Sequence, residues 1–297
     1  MNGNRAAPQL RGWQTAVVLL CLLIVTAPAQ AQRFDSGLLW RIERAGTTSY
    51  LFGTMHSDDP RVVQLAPPVQ QAFDRAGAVV LEVKLDSESL LSLSVSLLMS
   101  DDKTLEALVG PEVFEHAVDA MAAHGVPKTL VARMKPWAVA VTLMTPPARS
   151  GVVLDHVLYR RALADGKPIA GLETVDEQVA LFDSLALDEQ IVLLRDTLNH
   201  LPEIERMLTD LREAWLQRDL TKLVQINETS LRDAHPDIAA AFNQRIIIDR
   251  NHRMAERLEP RLQEGDWFIA VGALHLPGRE GLLQLLSERG YRVTRIY

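Results

Sequence analysis

The sequence of 297 residues contains a single cysteine, Cys21, which lies in an apolar run near the amino terminus. The chain that follows this run has no thiol. It therefore cannot form an internal disulfide, use a cysteine nucleophile or bind a metal through thiolate ligands.

Four sequence motifs of common enzyme classes are also missing. The chain has no Gly-x-Ser-x-Gly, no His-Glu-x-x-His, no Gly-x-x-x-x-Gly-Lys and no Gly-x-Gly-x-x-Gly. These absences set aside the serine nucleophile elbow, the helical zinc-protease motif, the phosphate-binding loop and the dinucleotide-binding turn. Any chemistry must come from a different arrangement.

The amino-terminal segment is typical of a secretory signal peptide. Arg5 and Arg11 precede an apolar run over residues 15–26, and Ala29-Gln30-Ala31 supplies a cleavage site. A run of about a dozen residues is shorter than the roughly twenty that span a bilayer as a helix. We therefore predict a signal peptide over residues 1–31, a mature chain beginning near Gln32, a periplasmic or secreted location, and no stable membrane insertion after cleavage.

Basic residues are fewer than acidic ones. Removal of residues 1–31 leaves 29 Lys and Arg against 38 Asp and Glu, a formal net charge of −9. This balance argues against a nucleic-acid partner. The length and the 47% apolar content suit a packed core, and we predict one domain over residues 32–297.

The apolar periodicity indicates an α/β fold with α+β character. A β-hairpin over residues 38–52 and a strand over 78–83 come early, and further strands over 168–173, 267–271 and 291–296 come late. Helices are predicted over residues 67–77, 90–99, 111–124, 127–134, 136–144, 152–164, 176–182, 188–218, 220–231, 236–262 and 279–289. We predict a mixed central sheet built from both ends of the chain, with a large helical insertion or cap at about 86–165.

Two apolar strands deliver a histidine through a glycine. Gly53 precedes His56 by three residues, and Gly272 precedes His275 in the same way. A glycine here either turns the backbone with positive φ or lets another group approach closely. One such histidine alone is usually a loop or cap residue. The repetition favours a shared site at the carboxyl ends of the strands, where α/β sheets bind ligands.

Two glutamates end apolar strands in the same Leu-Glu context. Glu82 and Glu173 have simpler explanations, as an edge-strand residue and as a cap partner of the following helix. Together with His56 and His275 they suit Zn, Mn, Co or Fe(II). We predict these four residues as metal ligands and catalytic groups, with one glutamate free to accept a proton from water.

A later helix supplies secondary candidates. Arg250 is predicted to be catalytic, balancing the carboxylates or holding an oxyanion, and Asn251 to orient a ligand; the alternative is a solvated helical face. Asp155, on a helix after Gly151, is a further candidate, and the alternative is ordinary surface. Five other histidines lack a strand-end position and are assigned structural roles: His116, His124, His156, His200 and His235.

Several short motifs, taken in order, resemble the TraB/GumN family, which is related to the Tiki metalloproteases and more distantly to erythromycin-esterase-like proteins. The resemblance covers roughly residues 38–297. It rests on Leu51-Phe52-Gly53-Thr54-Met55-His56, Leu81-Glu82, Lys135-Pro136-Trp137, Gly166-Lys167-Pro168-Ile169-Ala170-Gly171-Leu172-Glu173-Thr174, Arg250-Asn251 with Met254-Ala255, and Val271-Gly272-Ala273-Leu274-His275-Leu276-Pro277-Gly278.

The resemblance implies that the two histidines and the glutamates form the active site. Tiki-type members are metal-dependent peptidases, and TraB-like members are associated with shutting down peptide pheromone signals. The esterase-like relatives use a similar constellation without a metal. Three functions follow as alternatives: a metal-dependent peptidase, a metal-independent hydrolase of ester-like bonds with a histidine base, and a non-catalytic binder of a peptide or pheromone. The substrate is expected to be a peptide or a small molecule.

Overall fold

The computed structural model of the protein describes residues 34–147, 151–230 and 243–297. The predicted signal peptide and its cleavage site lie outside the described residues, as does the start of the helix predicted from residue 236. The strands are β1 Leu39–Arg44, β2 Thr47–Thr54, β3 Ala78–Val83, β4 Ile169–Glu173, β5 Trp267–Gly272 and β6 Arg292–Arg295.

These strands form one mixed six-stranded sheet in the order β4-β3-β5-β2-β1-β6. Strands β4, β3, β5 and β2 run parallel, whereas β1 pairs antiparallel with both β2 and β6. Ala45 and Gly46 both have positive φ, which is the backbone of a two-residue hairpin turn between β1 and β2. The α/β class and the sheet built from both ends of the chain are confirmed.

Helices occupy most of the remaining chain. They are α1 Pro60–Val63, α2 Pro67–Arg75, α3 Ser87–Ser96, α4 Leu105–Val109, α5 Pro111–Ala122, α6 Lys128–Val131, α7 Pro136–Leu143, α8 Leu154–Ala164, α9 Val175–Asp183, α10 Leu187–Asn199, α11 Leu201–Leu216, α12 Leu220–Ser230, α13 Asp249–Glu264 and α14 Leu282–Glu288. A π-helical turn, Gln244–Ile248, leads into α13, and a 3₁₀ turn, Ala273–His275, follows β5. Over these ranges no helix has both the length and the apolar character needed to cross a membrane.

Several predicted helix boundaries were wrong, and the short helices α1 and α4 were not predicted. The helix predicted over 188–218 is two helices, α10 and α11, that meet at His200. Pro202 lies in the first turn of α11, where a residue without an amide hydrogen is tolerated but could not continue an earlier helix. The last helix begins at Leu282 rather than at residue 279.

The apolar residues form two separate clusters. The first surrounds the sheet and includes the buried faces of α2, α8, α13 and α14. The second lies among α4, α5, α6, α7, α9 and α10. The helices of the predicted insertion at about 86–165 therefore do not all pack in one cluster. Helix α8 packs on the sheet, and α9 and α10, which follow β4, complete the helical core.

Candidate active site

The four strongest sequence candidates lie at one edge of the sheet. His56 follows the end of β2 by two residues, and His275 follows the end of β5 by three. Glu82 is the penultimate residue of β3, and Glu173 is the last residue of β4. Because these strands are parallel, their carboxyl ends share the same edge, and the helix α13 crosses it with Arg250 and Asn251.

The imidazole of His275 is buried and held in one orientation. The side chain of Asn251 donates from Nδ2 to the Glu280 carbonyl at 2.7 Å, which turns Asn251 Oδ1 toward His275 Nδ1 at 2.6 Å. Nδ1 therefore carries the proton and donates it to Oδ1, so Nε2 keeps a free lone pair. Burial lowers the pKa of His275 to about 4, against an opposing effect of Glu82, so the ring is neutral at pH 7.

The carboxylate of Glu82 faces that lone pair. Its Oε1 accepts a hydrogen bond from the Gly272 backbone N–H at 2.5 Å and lies 3.7 Å from His275 Nε2. Its Oε2 accepts from Arg250 Nη2 at 2.8 Å. Burial disfavours the charge, but His275, Arg250 and the Gly272 N–H together outweigh burial and hold the pKa of Glu82 below its ordinary value. Glu82 is therefore ionised at neutral pH.

Glu173 is committed to Arg250. Arg250 donates from Nε and Nη2 to the two Glu173 oxygens over 2.7–3.1 Å, and the Glu173 side chain is 1% exposed. Arg253 approaches the same carboxylate at 3.5 Å, and Gln178 bridges Glu173 and Glu82 at 3.2 and 3.3 Å. With both oxygens accepting these bonds, Glu173 is not placed to bind a metal beside His275.

His56 differs from His275 in exposure and in hydrogen bonding. Its side chain is exposed, and it forms no hydrogen bond within the described parts of the chain. It lies close enough to Asp155 for its charge to act on that carboxyl, whose pKa is raised by burial and by Glu82. Asp155 Oδ1 accepts a hydrogen bond from the Thr54 hydroxyl at 3.0 Å.

The donors fit part of a metal site. Two ligands at about 2 Å from one ion stand between 3 and 4 Å apart, which matches the 3.7 Å between His275 Nε2 and Glu82 Oε1. Across the described residues, no three His, Asp or Glu side chains are grouped closely enough to hold an ion. The pair His275 and Glu82 therefore suits two ligands, and within the described residues no third ligand is close enough to complete the set.

Both motif glycines serve close approach rather than a left-handed turn. Neither Gly53 nor Gly272 has positive φ. A Cβ on Gly53 would stand 2.7 Å from Leu276 Cδ1 and 3.1 Å from Ala273 Cα. A Cβ on Gly272 would stand 3.2 Å from Glu82 Oε1. The first glycine thus lets the second Gly-x-x-His unit pack on the first, and the second admits the Glu82 carboxylate.

Sequence reasoning missed two of these groups. Gln178 lies on α9 and shows no strand-end signal, although it joins both glutamates. The Gly272 N–H is a backbone donor that no side-chain pattern reveals. For Asp155 the sequence left ordinary surface as the alternative, whereas the hydrogen bond from Thr54 directs its carboxylate to the sheet edge.

The match to a known protein family covers almost the whole of the folded chain. A model of the TraB/PrgY/gumN family matches residues 38–295. The protein named Metalloprotease TIKI1 from Danio rerio is 25% identical over 316 residues, covering 87% of this chain and 63% of that protein. An uncharacterized protein, YbaP of Shigella flexneri, is 24% identical over 243 residues, covering 80% of this chain and 87% of its own.

A second fish relative, Metalloprotease TIKI2 from Danio rerio, is 24% identical and covers 89% of this chain and 61% of its own. The chain thus spans about three fifths of the length of these two Tiki proteins. No solved structure matches significantly. The family match takes in the hairpin, all four parallel strands and both Gly-x-x-His units, and on that extent the chain belongs to the TraB/PrgY/gumN family.

Proposed function

We propose that this chain is an exported, metal-dependent hydrolase that cleaves peptide bonds. The observation that carries the proposal is the pair formed by His275 Nε2 and Glu82 Oε1, 3.7 Å apart at the carboxyl edge of the sheet. The names of the Tiki relatives, which describe metalloproteases, support the reaction class. The substrate would be a peptide, bound in the region between this edge and the helical core.

Each residue at the sheet edge would have a separate role. His275 and Glu82 would hold the ion, which would supply Lewis acidity at the scissile carbonyl. Asn251 fixes the proton on Nδ1 of His275, so that Nε2 is available without any tautomer exchange. Arg250 orients Glu82 through Oε2 and leaves Oε1 directed toward His275. His56, exposed at the rim, would exchange protons with substrate and solvent.

A metal-independent hydrolase is the second candidate, and one observation favours it. Arg250 already pairs with both Glu82 and Glu173 through hydrogen bonds of 2.7–3.1 Å. Each carboxylate therefore has a cationic partner without a metal, and the single guanidinium charge offsets one of the two negative charges. In this mechanism the neutral His275 would accept a proton at Nε2 during attack of water on an ester-like bond, and Glu82 would stabilise the imidazolium.

One experiment separates the candidates. Residues 32–297 are purified, and bound metal is measured together with cleavage of a peptide library before and after chelation. Bound metal with peptide cleavage that chelation abolishes and Zn²⁺ or Mn²⁺ restores is the expected result. Cleavage of esters that survives chelation would replace this proposal with the second candidate. Binding of peptides without any cleavage would indicate a sequestering protein instead.

Export is tested separately. The motivation is the charged, apolar and small-residue pattern of residues 1–31. Amino-terminal sequencing of the protein recovered from the periplasm or the medium should begin at or near Gln32. Recovery from the membrane with Arg5 and Arg11 still present would contradict export as a cleaved protein.

A further inference from the structure

One side chain of the helical core reaches both glutamates at the sheet edge. Gln178 lies on α9, and its Nε2 donates to Glu173 Oε2 at 3.2 Å and to Glu82 Oε2 at 3.3 Å. A primary amide nitrogen carries two donor hydrogens, so one group can serve both acceptors. Helix α9 packs in the second apolar cluster through Val175 and Val179. Gln178 therefore ties the carboxylates of β3 and β4 to a helix outside the core of the sheet.

Gln178 and Arg250 hold the same two oxygen atoms. Arg250 Nη2 donates to Glu82 Oε2 at 2.8 Å and to Glu173 Oε2 at 2.7 Å. Each Oε2 therefore accepts from one guanidinium and one amide, and Oε1 of Glu82 is left to face His275 Nε2 at 3.7 Å. The last torsion of a glutamate is otherwise broad. Two donors on Oε2 thus fix which oxygen of Glu82 faces the imidazole.

Gln178 supplies hydrogen bonds without adding a positive charge. The guanidinium of Arg250 offsets one of the two negative charges of Glu82 and Glu173. Arg253 adds only a 3.5 Å contact to Glu173, from a side chain that is 38% exposed. A lysine or an arginine in place of Gln178 would offset the second charge and weaken Glu82 as a base or a ligand. The amide therefore orients Glu82 and leaves its negative charge in place.

Helix α9, which carries Gln178, is fixed at its first turn. Thr174 and Glu177 form a capping box, in which the Thr174 hydroxyl accepts from the Glu177 N–H at 3.1 Å and the Glu177 carboxylate accepts from the Thr174 N–H at 2.9 Å. The Glu177 carboxylate also pairs with Arg257 through bonds of 2.6 and 2.8 Å. Since Arg257 lies on α13 with Arg250, one helix holds both the start of α9 and the glutamate pair.

The motif Lys135-Pro136-Trp137 holds the other end of α9. The lysine Nζ and the indole Nε1 of this motif donate to Asp183 Oδ1 at 2.7 and 2.8 Å. Asp183 is the last residue of α9, and the neighbouring Phe182 ring stacks on the indole with centroids 5.8 Å apart. Gln178 is thus carried by a helix that is anchored at both ends.

We propose that Gln178 is a positioning residue, which holds Glu82 Oε2 so that Oε1 stays directed at His275. The Lys135-Pro136-Trp137 motif supports this role by fixing α9. The inference rests on the proposed hydrolase function, because the orientation of Glu82 has a chemical purpose only if Glu82 and His275 act together. It applies to the metal-dependent reaction and to the metal-independent one, since both need Glu82 beside His275 Nε2.

A purely structural explanation of Gln178 predicts a different outcome. If the amide only satisfies buried carboxylate oxygens, its removal should lower stability and leave the orientation of Glu82 unchanged. Gln190 provides a matched control. It is a buried glutamine on the next helix, α10, and its Nε2 donates to the Leu185 carbonyl at 3.0 Å. Loss of this amide should lower stability without reaching Glu82.

The orientation of Glu82 can be followed without any substrate. The Gly272 N–H donates to Glu82 Oε1 at 2.5 Å, so its amide proton reports the position of that oxygen. The sequence contains two Val-Gly pairs, which end at Gly110 and Gly272, and valine labelled with ¹³C at the carbonyl together with ¹⁵N-glycine selects these two amides in NMR spectra. The Gly110 N–H donates to the Glu106 carbonyl at 2.9 Å and serves as the internal reference.

The test compares the wild type, Gln178→Met and Gln190→Met, each prepared as residues 32–297 in chelator. We expect Gln178→Met to move the Gly272 amide proton upfield and to speed its exchange with solvent, because its charge-assisted bond to Glu82 is no longer maintained. Gln190→Met should leave Gly272 unchanged, and Gly110 should be unchanged in both. On a substrate that the wild type cleaves under its own assay conditions, Gln178→Met should lower kcat by about ten- to a hundredfold with little change in KM, while Gln190→Met keeps the wild-type kcat.

Other results would overturn the inference. A Gln178→Met protein that keeps either the wild-type Gly272 signal or the wild-type kcat would reduce Gln178 to a stabilising contact. A wild-type chain that cleaves neither peptides nor esters removes the proposed function, and the Gly272 signal then decides by itself whether Gln178 orients Glu82. If Gln178→Met does not fold, Gln178→Asn, whose amide is too short to reach both carboxylates, should move the Gly272 signal in the same direction by a smaller amount; an unchanged signal there would contradict the role.

Discussion

The two Gly-x-x-His units have the same sequence pattern but different structural surroundings. His275 is buried, its Nδ1 is bonded to Asn251, and its Nε2 faces Glu82. His56 is exposed and makes no hydrogen bond to the described residues. The difference comes from α13, which covers the end of β5 and supplies Asn251 and Arg250. The local motif therefore places a histidine at the sheet edge. For His275, the helix α13 determines which ring nitrogen carries the proton.

Loss of either imidazole tests the comparison most strongly. His56→Ala and His275→Ala should each lower kcat/KM by roughly two to four orders of magnitude, because each removes a ligand or a proton carrier. Their stabilities should differ. His275→Ala leaves Asn251 Oδ1 buried without its donor, at a cost of about 1–3 kcal/mol, whereas the exposed His56 should cost little. Turnover and urea midpoints measured on the same samples check both parts. Near-normal activity of both variants on a substrate of the wild type would place the site elsewhere.

Removal of the shared arginine should disorder the His275 side of the site. Arg250→Met leaves the buried Glu173 carboxylate without its main partner, which should cost about 3–5 kcal/mol. Arg253→Met is the matched control on the same helix, since its contact with Glu173 is 3.5 Å and its side chain is 38% exposed. Chemical denaturation should separate the two variants clearly. Equal stabilities would mean that Arg250 does not hold the edge together.

The pH dependence of stability should include a contribution from the buried ring of His275. The unfolded chain binds a proton at His275 near pH 6.5, while the folded chain does so near pH 4. Stability from this group is therefore fully present above about pH 6.5 and is lost as the pH falls toward about 4, by at most roughly 1.4 kcal/mol per pH unit. Urea midpoints in chelator should fall less steeply for His275→Gln than for the wild type. Gly53→Ala, which removes no titratable group, should keep the wild-type slope.

The two glycines should respond differently to a methyl group, and these are the smallest effects. Gly53→Ala forces its Cβ to within 2.7 Å of Leu276, which should cost about 1–3 kcal/mol through overpacking. Gly272→Ala meets Glu82 Oε1 at 3.2 Å, so its effect on stability should be smaller while metal affinity falls. Melting temperatures and Zn²⁺ titrations distinguish the cases. A Gly53→Ala variant with the wild-type melting temperature would show that the two units do not depend on close packing.

The sequence predicted the strands well, because alternation, hairpin turn residues and short apolar runs are local signals. It also predicted that histidines and glutamates would end those strands. It could not predict their partners, since Arg250 and Glu173 are joined only by the pairing of elements 77 residues apart. The capping box of Thr174 and Glu177 shows why the alternative for Glu173 was incomplete: α9 is capped by its own residues, and Glu173 is free to turn to Arg250.

The position of Asp155 shows a similar limit. A polar residue in the first turn of a helix is usually explained by that helix, and only the packing of α8 on the sheet brings it beside Thr54. The helical core also joins segments that are not contiguous in the sequence. Helices α9 and α10 follow β4, yet they pack with α4 to α7, which precede it. Such groupings depend on contacts between distant segments, which a periodicity in one segment does not encode.

The position of β5 has a consequence for the order of events during synthesis. This strand lies between β3 and β2, and its partners on β2 are more than two hundred residues earlier in the chain. Closing so long a loop is slow compared with forming local helices. A nascent chain that lacks the residues from Trp267 onward has neither the middle of its sheet nor His275. We therefore expect the proposed hydrolase activity to be absent until the last segment has been synthesised, so that the protein is latent throughout its own synthesis.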